Sequence, residues 1–169
     1  MKSSFPPVVD ENTSILILGS LPGEESLRQQ KYYANARNDF WPILFRMFNT
    51  LIAENYEDRL KFLKSHRIGL WDVIHSADRT GSLDSNIRNA TANDFESLFE
   101  NYPHIKMMAF NGRKSENTFR RMVLVKQKLP PNLLMEYFPS TSPAHKYISV
   151  EDKYLKWSIL RKYLEAEAV

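Results

Sequence analysis

"ILILGSLPG", residues 15–23, runs four apolar residues into a turn that carries two of the chain's five glycines. The run reads as a buried strand and the turn as its exit. Three more short apolar runs read as strands: Ile68 to Ile74, Ile105 to Phe110 and Leu133 to Phe138. Segments with helical spacing lie between and after them. Trp41, Leu44, Phe45, Phe48, Leu51 and Ile52 predict one face of a helix, with Pro42 tolerated in its first turn. "YEDRLKFLKSH" predicts a second helix, "NDFESLFENY" a third capped by Asn93 or Asp94, and "SENTFRRMV" a fourth. The last, in "VEDKYLKWSILRKYLEA", is expected to bury Tyr154, Trp157 and Leu164. The residues up to Pro6 and Pro7 read as an irregular lead-in. Strands alternating with helices predict an α/β fold around a mostly parallel sheet of four strands.

The global numbers narrow the function. A length of 169 residues suits one domain over 1–169, and 43% hydrophobic with 25% charged residues suits a folded core rather than a disordered chain. No apolar run reaches the ~20 residues that cross a bilayer. With no cysteine, a disulfide framework, a Cys-type zinc site and an iron–sulfur cluster are excluded. His66, His75, His104 and His145 show no metal-ligand spacing, so no metal and no cofactor are expected. The expected compartment is the cytoplasm, at the nucleoid in a prokaryote. A net charge of +3 leans toward anionic partners.

In parallel sheets ligands bind beyond the carboxyl ends of the strands. The segments to inspect are therefore Gly19 to Gly23, Asp72 to Asp84, Asn111 with Gly112, and Ser140 to His145. Taken singly, each has a plain reading. "GSLPG" is neither a phosphate loop nor a dinucleotide fingerprint and could be only a turn. Asn38 could cap the helix that follows, and "STSPAH" could be a surface turn. Asp72, Asp78 and Asp84 read as loop-bracing or capping groups.

Together these segments resemble the uracil-DNA glycosylase superfamily, and most closely its hypoxanthine-DNA glycosylase branch. "GSLPG" stands where mismatch-specific uracil glycosylases carry a GINPG-type loop. "YYANARNDFW" is similar to the family's Tyr-Tyr-Ala-His-Pro-x-Asn-x-Phe-Trp segment. "IGLWDVIHSADRTGSLDSNIRN" is similar to a stretch characteristic of the hypoxanthine branch. "MMAFNG" falls at a strand end with a base-reading Asn, and "STSPAHK" at the HPSP-type loop that enters the minor groove.

The resemblance implies a three-layer α/β sandwich and a monomeric, monofunctional DNA glycosylase acting on double-stranded DNA with deaminated bases. The flipped base would stack on Tyr33, be read by Asn111, and lie against Gly19, Ser20 and Leu21. Ser20-Leu21-Pro22 lacks the Asp or Asn that several branches use to hold the attacking water. In the hypoxanthine branch the Asn ahead of Phe-Trp takes that role, which here is Asn38. Asn35 replaces the usual His and Ala36 the usual Pro, making Asn35 a candidate for water or base contact. Ser140, Thr141, Ser142, Pro143, Ala144, His145 and Lys146 form the expected DNA-binding loop, with Arg113 and Lys114 adding positive charge. Hypoxanthine is the expected base, with uracil in G·U mismatches as a second substrate and a non-catalytic damage-binding module as an alternative of another class.

Overall fold

A computed structural model describes residues 1–167; residues 168 and 169, which close the expected 1–169 domain, lie outside the described residues. Its strands are β1 (Lys2–Ser3), β2 (Ile15–Gly19), β3 (Ile68–Asp72), β4 (Ile74–Asp78), β5 (Arg88–Ala92), β6 (Met107–Asn111) and β7 (Leu134–Phe138). Its α-helices are α1 (Glu24–Gln29), α2 (Phe40–Met47), α3 (Tyr56–Ser65), α4 (Phe95–Asn101), α5 (Arg113–Phe119), α6 (Val150–Trp157) and α7 (Leu160–Glu167).

The four expected strands form one sheet, in the order β3-β2-β6-β7, and every pairing in it is parallel. Alternation along β2 divides the interior. Ile15 and Ile17 join a core with Phe40, Trp41, Phe45, Leu63, Trp157 and Leu164, whereas Leu16 and Leu18 join one with Phe95, Phe99, Phe110 and Phe119. Helices α2, α3, α6 and α7 therefore cover one face, and α4 and α5 the other. This is the expected three-layer α/β sandwich. Among the described residues no helix is long and apolar enough to cross a membrane.

Four local expectations need correction. The run Ile68 to Ile74 is two strands: β3 stops at Asp72, and β4 leaves at Ile74 for a second, antiparallel sheet ordered β1-β4-β5. The chain turns because the Val73 and Ile74 N–H groups bond to Gly19 and Ser20 carbonyls at 2.9 and 3.0 Å. The lead-in is ordered: Lys2 and Ser3 pair with Ala77 and Ser76, Val8 bridges Leu70, and Phe5 is buried. Its prolines only interrupt the pairing, because they lack an N–H. Helix α2 ends at Met47, and Asn49 turns the chain with φ 52°, leaving Leu51 93% exposed and Ile52 exposed. The last helix is broken into α6 and α7; Trp157 and Leu164 are buried, and Tyr154 packs half-buried against them.

Parallel pairing places the carboxyl ends of the strands side by side. Gly19 is in register with Asp72, Leu18 with Phe110, and Asn111 with Phe138. The chemistry-bearing residues lie along that edge.

Candidate active site

Gly19 ends β2 and lies below the centre of the site. A Cβ there would stand 2.6 Å from Asp72 Oδ1 and 3.5 Å from the Tyr33 hydroxyl. Only glycine leaves that space open. Gly23 is different: a Cβ there would meet only Ser82, its Oγ at 3.4 Å, in the loop after β4. That loop clamps the turn between them. Ser20 Oγ donates to Asp84 Oδ1 at 2.6 Å, and the buried Arg79 guanidinium donates to the carbonyls of Leu21 and Pro22. Asp84 thus braces the turn, as expected from the sequence. Asp78 accepts from Asn89 Nδ2 at 3.0 Å.

Tyr33 approaches from the connection between α1 and α2. Its backbone is left-handed, with φ 54°, a conformation a tyrosine adopts only when its surroundings impose it. Phe40 imposes part of it, stacking on the ring at 3.9 Å between centroids and 13° between planes. One face of Tyr33 is therefore covered. Burial, followed by the nearby Asp72 carboxyl, raises the Tyr33 phenol above its ordinary range, so it stays protonated.

Asn111 ends β6, and its amide is already engaged. Its Nδ2 donates to the Tyr33 hydroxyl at 3.3 Å and to Thr141 Oγ1 at 3.0 Å, while its Oδ1 accepts the Thr141 N–H at 2.9 Å. Reading a base edge would require exchanging at least one donor, although Oδ1 keeps a second lone pair. Thr141 also accepts the Asp39 N–H on its carbonyl at 3.0 Å. In this way Tyr33, Asn111, Thr141 and the start of α2 are stitched into one unit.

Asn38 precedes that helix, and its Oδ1 accepts the Phe40 N–H at 2.9 Å. The bond is of capping type, but Oδ1 has a further lone pair and the amide nitrogen has no protein partner among the described residues. Asn35 closes a similar turn, its Oδ1 accepting the Arg37 N–H at 2.9 Å and its carbonyl the Asn38 N–H at 2.9 Å.

The loop after β7 divides into an inner and an outer part. Thr141 is wholly buried, and its bonds to Asn111 fix the inner part of the loop. Ser140 Oγ accepts the Ser142 N–H at 3.2 Å, and Ser142 Oγ accepts the Ala144 N–H at 3.2 Å. Ser142 and Pro143 are half-buried, and Ala144 and Lys146 are exposed. His145 shares a contact of 3.1 Å between Nδ1 and the Tyr147 hydroxyl.

Two residues escaped the sequence reading. Tyr147 is 79% exposed beside His145, and only its aromatic character next to a polar loop could have marked it. Asp72 is the other. It was expected to brace a loop or cap a helix, but its buried Oδ2 has no hydrogen-bond partner among the described residues. A carboxylate closing an otherwise apolar strand, "IGLWD", was the available signal. Burial, then the Asp84 carboxylate, push its pKa up to about 7 against the opposing pull of Arg79.

Comparison with known proteins gives a consistent picture. The family model described as "Uracil DNA glycosylase superfamily" matches residues 6–157. A hypoxanthine DNA glycosylase of Methanosarcina acetivorans is 51% identical over 120 residues, 68% of this chain and 73% of that protein. One from Methanosarcina barkeri is 46% identical over 119 residues, with the same coverage. A solution NMR structure of a candidate uracil DNA glycosylase from Methanosarcina acetivorans superposes with a TM-score of 0.80 at 40% identity. That superposition covers 97% of this chain and 98% of the other.

Proposed function

The chain belongs to the uracil DNA glycosylase superfamily, and on that premise we propose that it excises hypoxanthine from deoxyinosine-containing duplex DNA, leaving an abasic site. It is a DNA glycosylase. The choice of base is carried by the two relatives of about half-identical sequence that are described as hypoxanthine DNA glycosylases. The site chemistry agrees with it.

A base must leave the duplex to be reached, and the space over Gly19 is bounded by groups suited to a flipped one. Tyr33, backed by Phe40, would stack on the base through its opposite face. Asn111, after yielding one of its present bonds, complements an O=C–N–H edge through one acceptor and one donor. The turn through Ser20 and Leu21, held by Arg79 and Asp84, would form the floor beside Gly19.

Cleavage of the N-glycosidic bond proceeds through an oxocarbenium-like sugar, which an oriented water can trap. Asn38 is the residue for that water. Its amide is neutral at pH 7, so it acts by geometry rather than by taking a proton. The Phe40 N–H holds its Oδ1 in place, and the second lone pair of that oxygen would bind the water. Asn35 is the alternative water or base contact. Ser140, Ser142, Pro143, Ala144, His145 and Lys146 present the surface that follows the DNA backbone, with Arg113 and Lys114 at the start of α5.

Uracil is the second reading, because the edge Asn111 would read is common to both bases. The test is single-turnover incubation with labelled duplexes containing deoxyinosine, deoxyuridine or deoxyxanthosine, with and without EDTA, then alkali. Fastest cleavage of deoxyinosine, insensitive to EDTA and visible only after alkali, is expected. Faster cleavage of deoxyuridine, or nicking before alkali, would contradict the reading.

A further inference from the structure

Asp72 lies in the site but braces nothing. It ends β3 in register with Gly19, is 4% exposed, and its buried Oδ2 has no hydrogen-bond partner among the described residues. Its Oδ1 and the Tyr33 hydroxyl both crowd the point where a Gly19 side chain would begin, at 2.6 and 3.5 Å. The carboxyl therefore faces the same space as Tyr33 and Asn111, the space assigned above to the flipped base. A group kept only for structure would have its oxygens satisfied, because an orphaned buried carboxylate is costly.

The departing base lacks a proton source in the groups described so far. Asn38 and Asn111 are neutral amides, Ser140 is an alcohol, and burial raises the Tyr33 phenol so that it gives up its proton less readily. We propose that Asp72 is the acid of the reaction and gives its proton to N7 of hypoxanthine as the C1′–N9 bond breaks. This rests on the reading of the protein as a hypoxanthine glycosylase.

The step balances. The C1′–N9 electron pair leaves with the base, the Asp72 proton moves to N7, and hypoxanthine departs neutral. Water held by Asn38 adds its oxygen to C1′, and the proton it loses returns to the Asp72 carboxylate through solvent. A pyrimidine has no such ring nitrogen, so the same acid favours purines. The charged groups facing Asp72 are the Asp84 carboxylate, which keeps the proton on, and the Arg79 guanidinium, which opposes it less strongly than burial. Tyr32 and Tyr33 are close and uncharged. With a pKa pushed up to about 7, Asp72 is protonated below neutrality, which is the form an acid needs.

The experiment compares the wild type with Asp72→Asn in single turnover from pH 5 to 9. Its substrates are duplexes carrying deoxyinosine or 7-deaza-2′-deoxyinosine, which lacks the acceptor nitrogen. Wild-type cleavage of deoxyinosine at pH 6 tests the parent reading by itself. Given that activity, the proposal expects the wild-type rate to fall about tenfold per pH unit above about pH 7. Asp72→Asn should be slower by about 10²-fold at pH 6, with no fall in that range. On the 7-deaza substrate the two proteins should differ only a few-fold. A variant with near-wild-type rate and an unchanged basic limb would overturn the proposal, as would an equal loss on both substrates. Should the variant melt below the assay temperature, the wild type alone decides: a rate that is flat from pH 6 to 9 overturns it.

Discussion

At Asn38 one amide oxygen carries both a local bond and the proposed chemistry, and the two can be separated. Losing the bond to the Phe40 N–H costs about 1 kcal/mol of stability. Losing a positioned transition-state contact lowers the rate by roughly 10²–10³. Asn38→Ala is therefore expected to melt slightly early and to cleave deoxyinosine at least a hundredfold more slowly in single turnover, while Asn35→Ala stays within tenfold. The reverse order would move the role to Asn35. Asn111→Asp removes the donors now used toward Tyr33 and Thr141 and replaces them with acceptors. It should change the ratio of deoxyinosine to deoxyuridine cleavage as well as loosen the loop after β7. An unchanged ratio would rule out base reading by Asn111. Tyr33→Phe should be mild, since ring stacking on Phe40 survives, whereas Tyr33→Ala should weaken cleavage of every substrate.

The start of α2 is held by an ion pair whose two ends are unequally buried. Lys153 Nζ on α6 lies 3.1 Å from Asp39 Oδ2, and the lysine side chain is 3% exposed against 22% for the aspartate. Removing Asp39 strands a buried cation, a loss of about 3–5 kcal/mol; removing Lys153 leaves a carboxylate that water can reach, at a smaller cost. Chemical denaturation of Asp39→Ala and Lys153→Met should show that asymmetry. This element also marks the boundary of what the sequence could say. The four parallel strands were legible because each is a short apolar run between polar turns, and α3 because its cap and charge pattern are local. Strands β1 and β5 were not, because two residues and the polar run "RNATA" carry no periodic signal. The end of α2 was hidden by Leu51 and Ile52, which keep the helical spacing but point into solvent. Likewise the family pattern singled out Asn38, Tyr33 and Asn111, yet Thr141 as interior tie, Lys153 as partner of Asp39 and the unbraced Asp72 depend on contacts between distant segments. No local pattern encodes those.

At the scale of the whole molecule, Asp72 links the site to stability. Its folded pKa is raised to about 7 from an unfolded value of about 3.9. The folded state therefore binds more protons between those values. The stability this gives is complete below about pH 4 and is lost as pH rises through about 7. Melting curves should show the Asp72→Asn protein gaining on the wild type across that window, with the difference level above it. A gap independent of pH would mean that the carboxyl ionises normally. Binding to undamaged DNA should be modest, since the net charge is only +3, and should weaken with salt, since the expected contacts are to phosphates. The most direct measurement of the central claim is the product itself: mass spectrometry of the small molecules released from a deoxyinosine duplex by excess protein, with the strand analysed in parallel. Free hypoxanthine in equal amount to abasic sites, on an unbroken strand, is the predicted result. Deoxyinosine DNA that is bound yet releases no base, while a deoxyuridine duplex releases uracil, would contradict it.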